Sequence, residues 1–307
     1  MSNTSTFSLI KETYLAWQDD EAFRQSAVIA YYSIFSLPAL IIIVVHVAGF
    51  FFGQDAVQGQ ISQQIGEMIG KESAEQVQTM VANASQQGNS TIAIIIGVGT
   101  LIFGATGLFY QLQQSLNKVW DVEPRPEAGV KKVILDRASS LGIVLALGFL
   151  LLISLILTTI ISTLSNWIEQ QFPSYFVSLF FIVSELLSLG LITVLFAIIY
   201  KVLPDVRIPW KMVWIGAFVT AVLFTIGKFL LGFYFGKADP ASTFGAAGSL
   251  ILILLWVNYS GLIFLFGAEF TKVYARYKGA DIRVSQHAQH TAAYKYHKER
   301  EEVSAGE

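Results

Sequence analysis

The sequence predicts an all-α integral membrane protein, a bundle of six transmembrane helices with both termini in the cytoplasm. Two observations lead to this fold class. First, 54% of the 307 residues are hydrophobic and only 14% are charged, whereas soluble domains carry about 25% charged residues. With a mean hydropathy of +0.56, the chain has too few polar groups to cover a soluble surface. Second, the Lys and Arg residues are distributed very unevenly between the two sides of the apolar segments.

Six apolar segments are long enough to span a membrane, since a spanning helix needs roughly 20 mostly apolar residues. They cover residues 28–52, 91–116, 138–165, 175–203, 210–236 and 244–271, within a transmembrane domain over 28–275. All but three of the 20 Lys and Arg residues fall on one side of these segments; Lys71 and Lys237 lie on the other side and Lys228 within a span. Because Lys and Arg accumulate in cytoplasmic loops, both termini are predicted to be cytoplasmic.

Residues 1–27 are predicted to form an amphipathic arm at the membrane interface. Phe7, Ile10, Tyr14 and Trp17 recur at helical spacing, which is typical of a helix lying in the headgroup region. Asp19 or Asp20 follows this pattern and is a candidate N-cap of the first spanning helix.

Two further segments lie outside the membrane. The outer loop 53–90 has two apolar stripes and predicts a helical hairpin, which could be a structural cap or a functional lid. Residues 276–307 are polar and predict a disordered cytoplasmic tail. Its His287, His290 and His297 could bind a metal, but a solvated tail explains them better.

Several classes of function are excluded by composition or motif. The absence of Cys excludes disulfides and Cys-ligated metals. A net charge of −2 argues against nucleic acid as a partner. No phosphate-binding loop, zinc motif or serine-nucleophile motif is present in the sequence. We therefore predict no enzymatic activity, no cofactor and no bound metal.

Polar groups inside the spans are the first candidates for a site, because a mid-membrane charge costs at least about 2.5–3.5 kcal/mol. At about 1.5 Å per residue, Glu185, Lys228 and His46 lie about 15, 12 and 9 Å from the outer ends of their helices. They are predicted to line a substrate pathway, with Glu185 and Lys228 facing each other or a shared cavity. The alternatives are an ion pair that only fixes packing, and a histidine that donates to a backbone carbonyl.

The last span contributes two more polar groups. Asn258 is a candidate for the pathway or for an interhelix hydrogen bond. Glu269, about 38 Å from the outer end, is predicted at the cytoplasmic interface beside Lys272 and Arg276. A carboxylate costs little there, so we interpret Glu269 as structural.

Pro38 lies within the first span and removes a backbone donor, which predicts a kink. Ser33 and Ser36 are predicted to satisfy the freed backbone groups. A kinked helix can gate, and Tyr31 and Tyr32 lie on its cytoplasmic side; a static kink is the alternative.

Small residues in the last two spans suggest close helix contacts. The pairs Gly232-x-x-x-Gly236 and Gly245-x-x-x-Ser249 have the spacing of a packing motif.

The predicted cytoplasmic loops carry a set of basic residues that could bind anionic lipid headgroups, because guanidinium pairs bidentately with phosphate. Its members are Lys131, Lys132, Arg137 and Arg207. The general cytoplasmic excess of basic residues is the alternative explanation, and Asp205 could pair locally with Arg207.

Three stretches resemble the YihY/BrkB family of inner-membrane proteins: "AVIAYYSIFSLPAL" (27–40), the segment 203–235 beginning "LPDVRIPWK", and "STFGAAGSLILILLWVNYSGLIFLFGAEFTKVYAR" (242–276). The resemblance implies a multi-pass six-helix fold in the bacterial inner membrane. Some members have carried the label ribonuclease BN, which the residues here do not support. Others are linked to serum resistance or envelope integrity.

Three functions are consistent with these features. The first is transport or flipping of an anionic lipid or other envelope amphiphile through a cavity between helices, with membrane lipids as partners. The second is an envelope-integrity scaffold that transports nothing. The third is a membrane enzyme acting on lipid, for which no catalytic group is recognisable. The oligomeric state stays open, and a homo-oligomer is one of the alternatives.

Overall fold

The computed structural model describes residues 6–85, 106–125, 174–238, 247–292 and 294, and these are mostly helical. The helices are α1 (Thr6–Asp19), α2 (Ala22–Phe52), α3 (Gln54–Ile69), α4 (Lys71–Ser85), α5 (106–119), α6 (Ser174–Val202), α7 (Trp210–Ala238) and α8 (Gly248–Tyr277). The strands are β1 (Val122–Pro124), β2 (Val206–Arg207), β3 (Arg283–Val284) and β4 (Ala288–His290).

Three of the described helices are long and apolar enough to cross a membrane. These segments are Ile182–Val202 in α6, Trp210–Phe235 in α7 and Gly248–Tyr277 in α8. They agree with three of the predicted spans, and α2 contains a fourth. The predicted span 138–165 and most of 91–116 lie outside the described residues. The count of six spans and the cytoplasmic termini therefore stay predictions.

The hydrophobic core lies at one end of the bundle, which we call the basal end. The loop between α6 and α7, the C-terminal part of α8, the end of α5 and helix α1 meet there. Tyr200, Leu116, Val213 and Leu265 are among its fully buried side chains. At the other end of α6 and α7, large apolar side chains are exposed, as expected of helices that face lipid.

Helices α7 and α8 pack through two reciprocal Gly/Thr pairs. A Cβ added to Gly216 would lie 1.7 Å from Thr271 Oγ1, and one added to Gly267 would lie 1.8 Å from Thr220 Oγ1. Each hydroxyl donates to the carbonyl of the glycine on its own helix, at 2.7 Å. Each glycine thus leaves room for the threonine of the opposite helix, and the two backbones approach closely.

The packing glycines predicted from sequence lie elsewhere. Gly232 is exposed, and no described atom lies within 4 Å of a Cβ added there. Packing on Gly232 therefore stays a prediction, and Gly245 lies outside the described residues. The Gly-x-x-x-Thr spacing repeated in α7 and α8 was the sequence signal for the true contact.

The described part of the chain after α8 contains two strands, although residues 276–307 were predicted to be disordered. Strand β3 pairs antiparallel with β2, and β4 pairs antiparallel with β1. Arg283–Val284 and Ala288–His290 thereby pair with the two basal loops. Pairing across more than 70 residues of sequence is not visible in local composition, which explains the difference.

The N-terminal arm is helical, as predicted, but it is only partly exposed. Phe7, Ile10 and Tyr14 are exposed, whereas Trp17 is buried and its indole N–H donates to the carbonyl of Leu262 at 3.1 Å. Helix α1 is therefore held against α8. The predicted Asp cap is absent: Glu21, with a left-handed φ of 54°, precedes α2 and no side chain caps that end.

Helices α3 and α4 pack against each other as the predicted hairpin. Between this hairpin and α2 lies a small apolar groove of about 10 Å³. It is lined by Ile41, Gln58, Ile61, Ser62, Ile65, Ala74, Val77 and Gln78.

Candidate functional site

The basal end contains a fully buried acidic side chain, Glu269 of α8. Its exposed fraction is 0%, and neither carboxyl oxygen has a hydrogen-bond partner among the described residues. The sequence placed this residue at the cytoplasmic interface, where a carboxylate costs little. The expected contact with water is wrong, because helix α1 and the basal loops cover the end of α8; the cytoplasmic position of this end and the structural role of Glu269 stay predictions.

Three charged groups surround Glu269. Asp20 belongs to the elbow between α1 and α2, Asp121 to the turn before β1, and Lys272 to the next turn of α8. Lys272 Nζ lies 2.9 Å from Asp121 Oδ2 and 3.9 Å from Asp20 Oδ2. Arg276 Nη2 also contacts Asp121 Oδ2, at 3.1 Å. We call Asp20, Asp121, Glu269, Lys272 and Arg276 the basal charge cluster.

The backbone that carries this cluster is fixed by the basal strands and their turns. The N–H of Thr291 donates to the carbonyl of Asp121 at 2.9 Å, and the N–H of Asp121 donates to the carbonyl of Lys118 at 3.0 Å. Asp121 has a left-handed φ of 53°, a conformation that Asp tolerates better than most residues. The turn thereby directs the Asp121 carboxylate towards Lys272.

A reciprocal side-chain pair connects α5 to the α6–α7 loop beside the cluster. Asn117 Nδ2 donates to Asp205 Oδ2 at 2.9 Å, and the backbone N–H of Asp205 donates to Asn117 Oδ1 at 2.8 Å. The N–H of Ser285 donates to the carbonyl of Asp205 at 2.9 Å. Asp205 therefore joins three segments.

A more exposed ion pair lies on the outside of the elbow. Lys118 Nζ is 2.6 Å from Glu21 Oε2, and Arg24 contacts the same oxygen. The hydrogen bond from Lys118 lowers the pKa of Glu21 below its usual value. Glu21 is solvated and its contribution to stability is correspondingly small.

The chemistry available to the basal charge cluster is that of carboxyl groups and a buried ammonium. Within the described ranges, no group of three or more His, Cys, Asp or Glu has an arrangement that could hold a metal ion. Sequence reasoning missed Asp20 and Asp121 as partners of Glu269. The i, i+3 spacing of Glu269 and Lys272 places an acid and a base on one helix face, but it does not point to Asp20 or Asp121.

Glu185 and Lys228 lie on neighbouring helices at the same level. Counted from Val202 and Trp210 at about 1.5 Å per residue, both are about 26 Å from the basal loop. Both side chains are exposed, and no ion pair joins them in the part of the chain that the structure describes. Their neighbours on the two helices are exposed apolar side chains, namely Leu186, Leu187, Phe229 and Leu230.

Asn258 forms an interhelix hydrogen bond. Its Nδ2 donates to Ser26 Oγ at 3.1 Å and so connects α8 to α2. This was one of the two roles predicted for it.

Helix α2 continues through Pro38. The predicted serines do not reach the carbonyl that Pro38 leaves free, which is that of Ile34. Ser33 instead donates to Ile29 and Ser36 to Tyr32, each on its own preceding turn. Their predicted role is therefore wrong.

The aromatic pair below Pro38 is partly exposed. Tyr31 is exposed and meets Tyr32 edge-on, with ring centroids 5.7 Å apart. Gating by Pro38, Tyr31 and Tyr32 stays a prediction.

The other predicted site residues are His46 of the first span and the basic residues of the loops. The side chain of His46 and residues Lys131, Lys132 and Arg137 lie outside what the structure describes. Arg207 is exposed on β2, directly opposite Arg283 of β3.

A bundle of long apolar helices with a charged cluster at one end defines an α-helical membrane protein. The chain matches the family described as Virulence factor BrkB over residues 13–292, and it belongs to that family. The resemblance found in the sequence is thereby confirmed. No solved structure matches the chain.

Curated relatives are bacterial proteins. A UPF0761 membrane protein of Saccharophagus degradans is 28% identical over 252 residues, which is 82% of this chain and 56% of that protein. Another UPF0761 membrane protein, of Teredinibacter turnerae, is 23% identical over 277 residues, which is 90% of this chain and 62% of that protein. The putative ribonuclease-like protein YfkH of Bacillus subtilis is 23% identical over 270 residues, 85% of this chain and 93% of YfkH. The chain thus spans about three fifths of the first two relatives.

Proposed function

We propose that this chain is a multi-pass inner-membrane protein that moves an anionic lipid or another anionic envelope amphiphile across the bilayer. The observation that carries the proposal is the placement of Glu185 and Lys228. They lie at the same level of the adjacent antiparallel helices α6 and α7, and both are exposed among apolar side chains.

The energy of these two groups argues for a function. An ionised side chain at membrane depth costs at least about 2.5–3.5 kcal/mol. Burial against each other would offset part of this cost, but Glu185 and Lys228 are both exposed. A water-lined path or a charged substrate would stabilise both side chains without requiring their direct contact.

Chemistry favours an anionic amphiphile as the substrate. The ammonium of Lys228 pairs with a phosphate or carboxylate headgroup, while the apolar side chains beside it suit acyl chains. Glu185 at the same level would repel an anionic headgroup that is paired with Lys228. This repulsion would favour release of the headgroup from Lys228. His46 and Asn258 are further candidates along this path, and Pro38, Tyr31 and Tyr32 for its gating.

The cytoplasmic side of the path would be basic. Arg207 is exposed opposite Arg283, so two guanidinium groups lie on neighbouring strands. With Lys131, Lys132 and Arg137 they form the proposed entry or exit point for headgroups. No cofactor takes part, and we propose no enzymatic activity; the ribonuclease-like name belongs to YfkH.

The test is lipid movement in proteoliposomes. Purified protein is reconstituted with fluorescent phosphatidylglycerol or fluorescent phosphatidylcholine, and the label reached by an external quencher is followed with time. Lys228→Met should slow phosphatidylglycerol movement about tenfold, since a lost ion pair with the headgroup is worth about 1.4 kcal/mol. Movement of phosphatidylcholine should change less. The matched control is Lys237→Met, because Lys237 is an exposed lysine near the end of the same helix.

Two results would overturn the proposal. One is a Glu185→Gln, Lys228→Met protein that moves phosphatidylglycerol at the wild-type rate. The other is a wild-type protein that moves neither lipid faster than protein-free vesicles. If the second result came with loss of envelope integrity in cells lacking the protein, the scaffold function would replace transport.

A further inference from the structure

Besides Glu269, the basal charge cluster contains two acidic and two basic side chains. Asp20 and Asp121 carry two negative charges, and Lys272 and Arg276 carry two positive charges. The contacts at 2.9, 3.9 and 3.1 Å join these four groups to one another. An ionised Glu269 would add a third negative charge, and the described residues show no further cation in an ion pair with this cluster.

Burial makes that extra charge costly. Glu269 is 0% exposed, and neither of its oxygens accepts a hydrogen bond from any described residue. An isolated carboxylate in such a place costs several kcal/mol, even after relaxation of the surroundings. A neutral carboxyl group removes this cost.

The approach of Asp20 points to the same state. Its carboxyl interacts with the Glu269 carboxyl, and it lies 3.9 Å from the Nζ of Lys272, which is one turn along α8 from Glu269. Two ionised carboxylates are acceptors only and can form no hydrogen bond with each other. A proton on one of them turns this repulsive contact into an O–H···O⁻ bond, which is stronger than a neutral one.

We infer that Glu269 and Asp20 form a proton-binding site, in which Glu269 holds the proton and donates it to Asp20 in the conformation described. The charged groups that act on Glu269 are Asp20 from the elbow, Asp121 from the turn before β1, and Lys272 from α8 itself.

The site connects protonation to the position of the N-terminal arm. Asp20 belongs to the elbow, and Trp17 one turn earlier is bonded to α8 through Leu262. When the proton leaves to water, a carboxylate remains on Glu269 and faces the negative charges of Asp20 and Asp121. The elbow then moves away from α8 or water enters between them. This inference does not depend on lipid transport.

Infrared spectroscopy of the purified full-length chain in nanodiscs tests the site directly. A protonated buried carboxyl has a carbonyl stretch separate from that of carboxylates, and we expect this band at neutral pH in the wild-type protein. Glu269→Gln should abolish it. Asp281→Asn is the matched control, because Asp281 is an exposed carboxylate whose loss should leave the band unchanged. Asp20→Asn should shift its frequency, since the acceptor of the O–H changes.

The results that would overturn the inference are distinct. A wild-type spectrum without the band at neutral pH shows that Glu269 is ionised. A band that survives in Glu269→Gln belongs to another group. If Na⁺ but not choline stabilised the wild-type protein, and Glu269→Gln lost this effect, the site would bind a metal cation and not a proton. If Glu269→Gln does not fold, the frequency shift in Asp20→Asn decides, and no shift contradicts the inference.

Discussion

The contact between α7 and α8 makes a sharp prediction about one methyl group. In Gly216→Ala the new Cβ would lie 1.7 Å from Thr271 Oγ1, 2.8 Å from its Cβ and 3.1 Å from its Cγ2. Carbon atoms in contact are normally about 3.5–4.0 Å apart. Rotating the threonine side chain moves the oxygen but not the Cβ, so the helices themselves must separate.

The magnitude follows from this geometry. The Cβ–Cβ distance falls short of normal contact by about 0.7–1.2 Å, and the Thr271 hydroxyl is held by its 2.7 Å bond to the carbonyl of Gly267. Overpacking of a well-packed contact typically costs about 1–3 kcal/mol, so Gly216→Ala should destabilise the folded bundle by that amount. Combining it with Thr271→Gly removes the three atoms nearest to the new Cβ and should restore part of the loss.

The assay is the midpoint of unfolding in detergent, read by tryptophan fluorescence. The control is Gly232→Ala, where no described atom lies within 4 Å of the added Cβ. Gly232→Ala should leave the midpoint unchanged or raise it slightly, since alanine restricts the unfolded chain. Equal midpoints for Gly216→Ala and Gly232→Ala would refute the close approach of the two helices.

Three other predictions concern the basal end. Asn117→Ala removes two hydrogen bonds to Asp205 and should cost about 1–3 kcal/mol, seen as a lower unfolding midpoint; an unchanged midpoint contradicts the pairing. Trp17→Phe keeps the ring but loses the N–H donor, so protease should cleave the N-terminal arm faster; equal cleavage contradicts the anchoring. Lys118→Gln should slightly lower the free energy of unfolding at neutral pH, because Glu21 loses its ion pair with Lys118. This difference from the wild type should vanish as the pH falls from 4.5 through the lowered pKa of Glu21. A difference that persists in acid would contradict the stabilising ion pair.

The helices of this protein were largely predictable from sequence. The apolar segments predicted over 175–203, 210–236 and 244–271 correspond to α6 (Ser174–Val202), α7 (Trp210–Ala238) and α8 (Gly248–Tyr277) within a few residues. The reason is that the signal is local: a run of apolar residues long enough to cross a bilayer reports its own structure. The helical hairpin of the 53–90 loop was predictable for the same reason, from its apolar periodicity.

The basal charge cluster was not predictable in this way. Glu269, taken alone, lies at the end of a span, where depth along the helix suggests contact with water. Its burial depends on the elbow at Asp20, on the turn at Asp121 and on strands formed by the chain after α8. These partners come from three separate parts of the sequence, and no local pattern connects them.

The sequence by itself thus determined the class of this protein, its apolar helices and its family, because composition and short motifs carry that information. Only the tertiary structure decided which polar groups are buried together. It left Glu185 and Lys228 exposed, and it placed Glu269 against Asp20. The physical reason is that the cost of a charge depends on its surroundings in space, and those surroundings are assembled from distant segments.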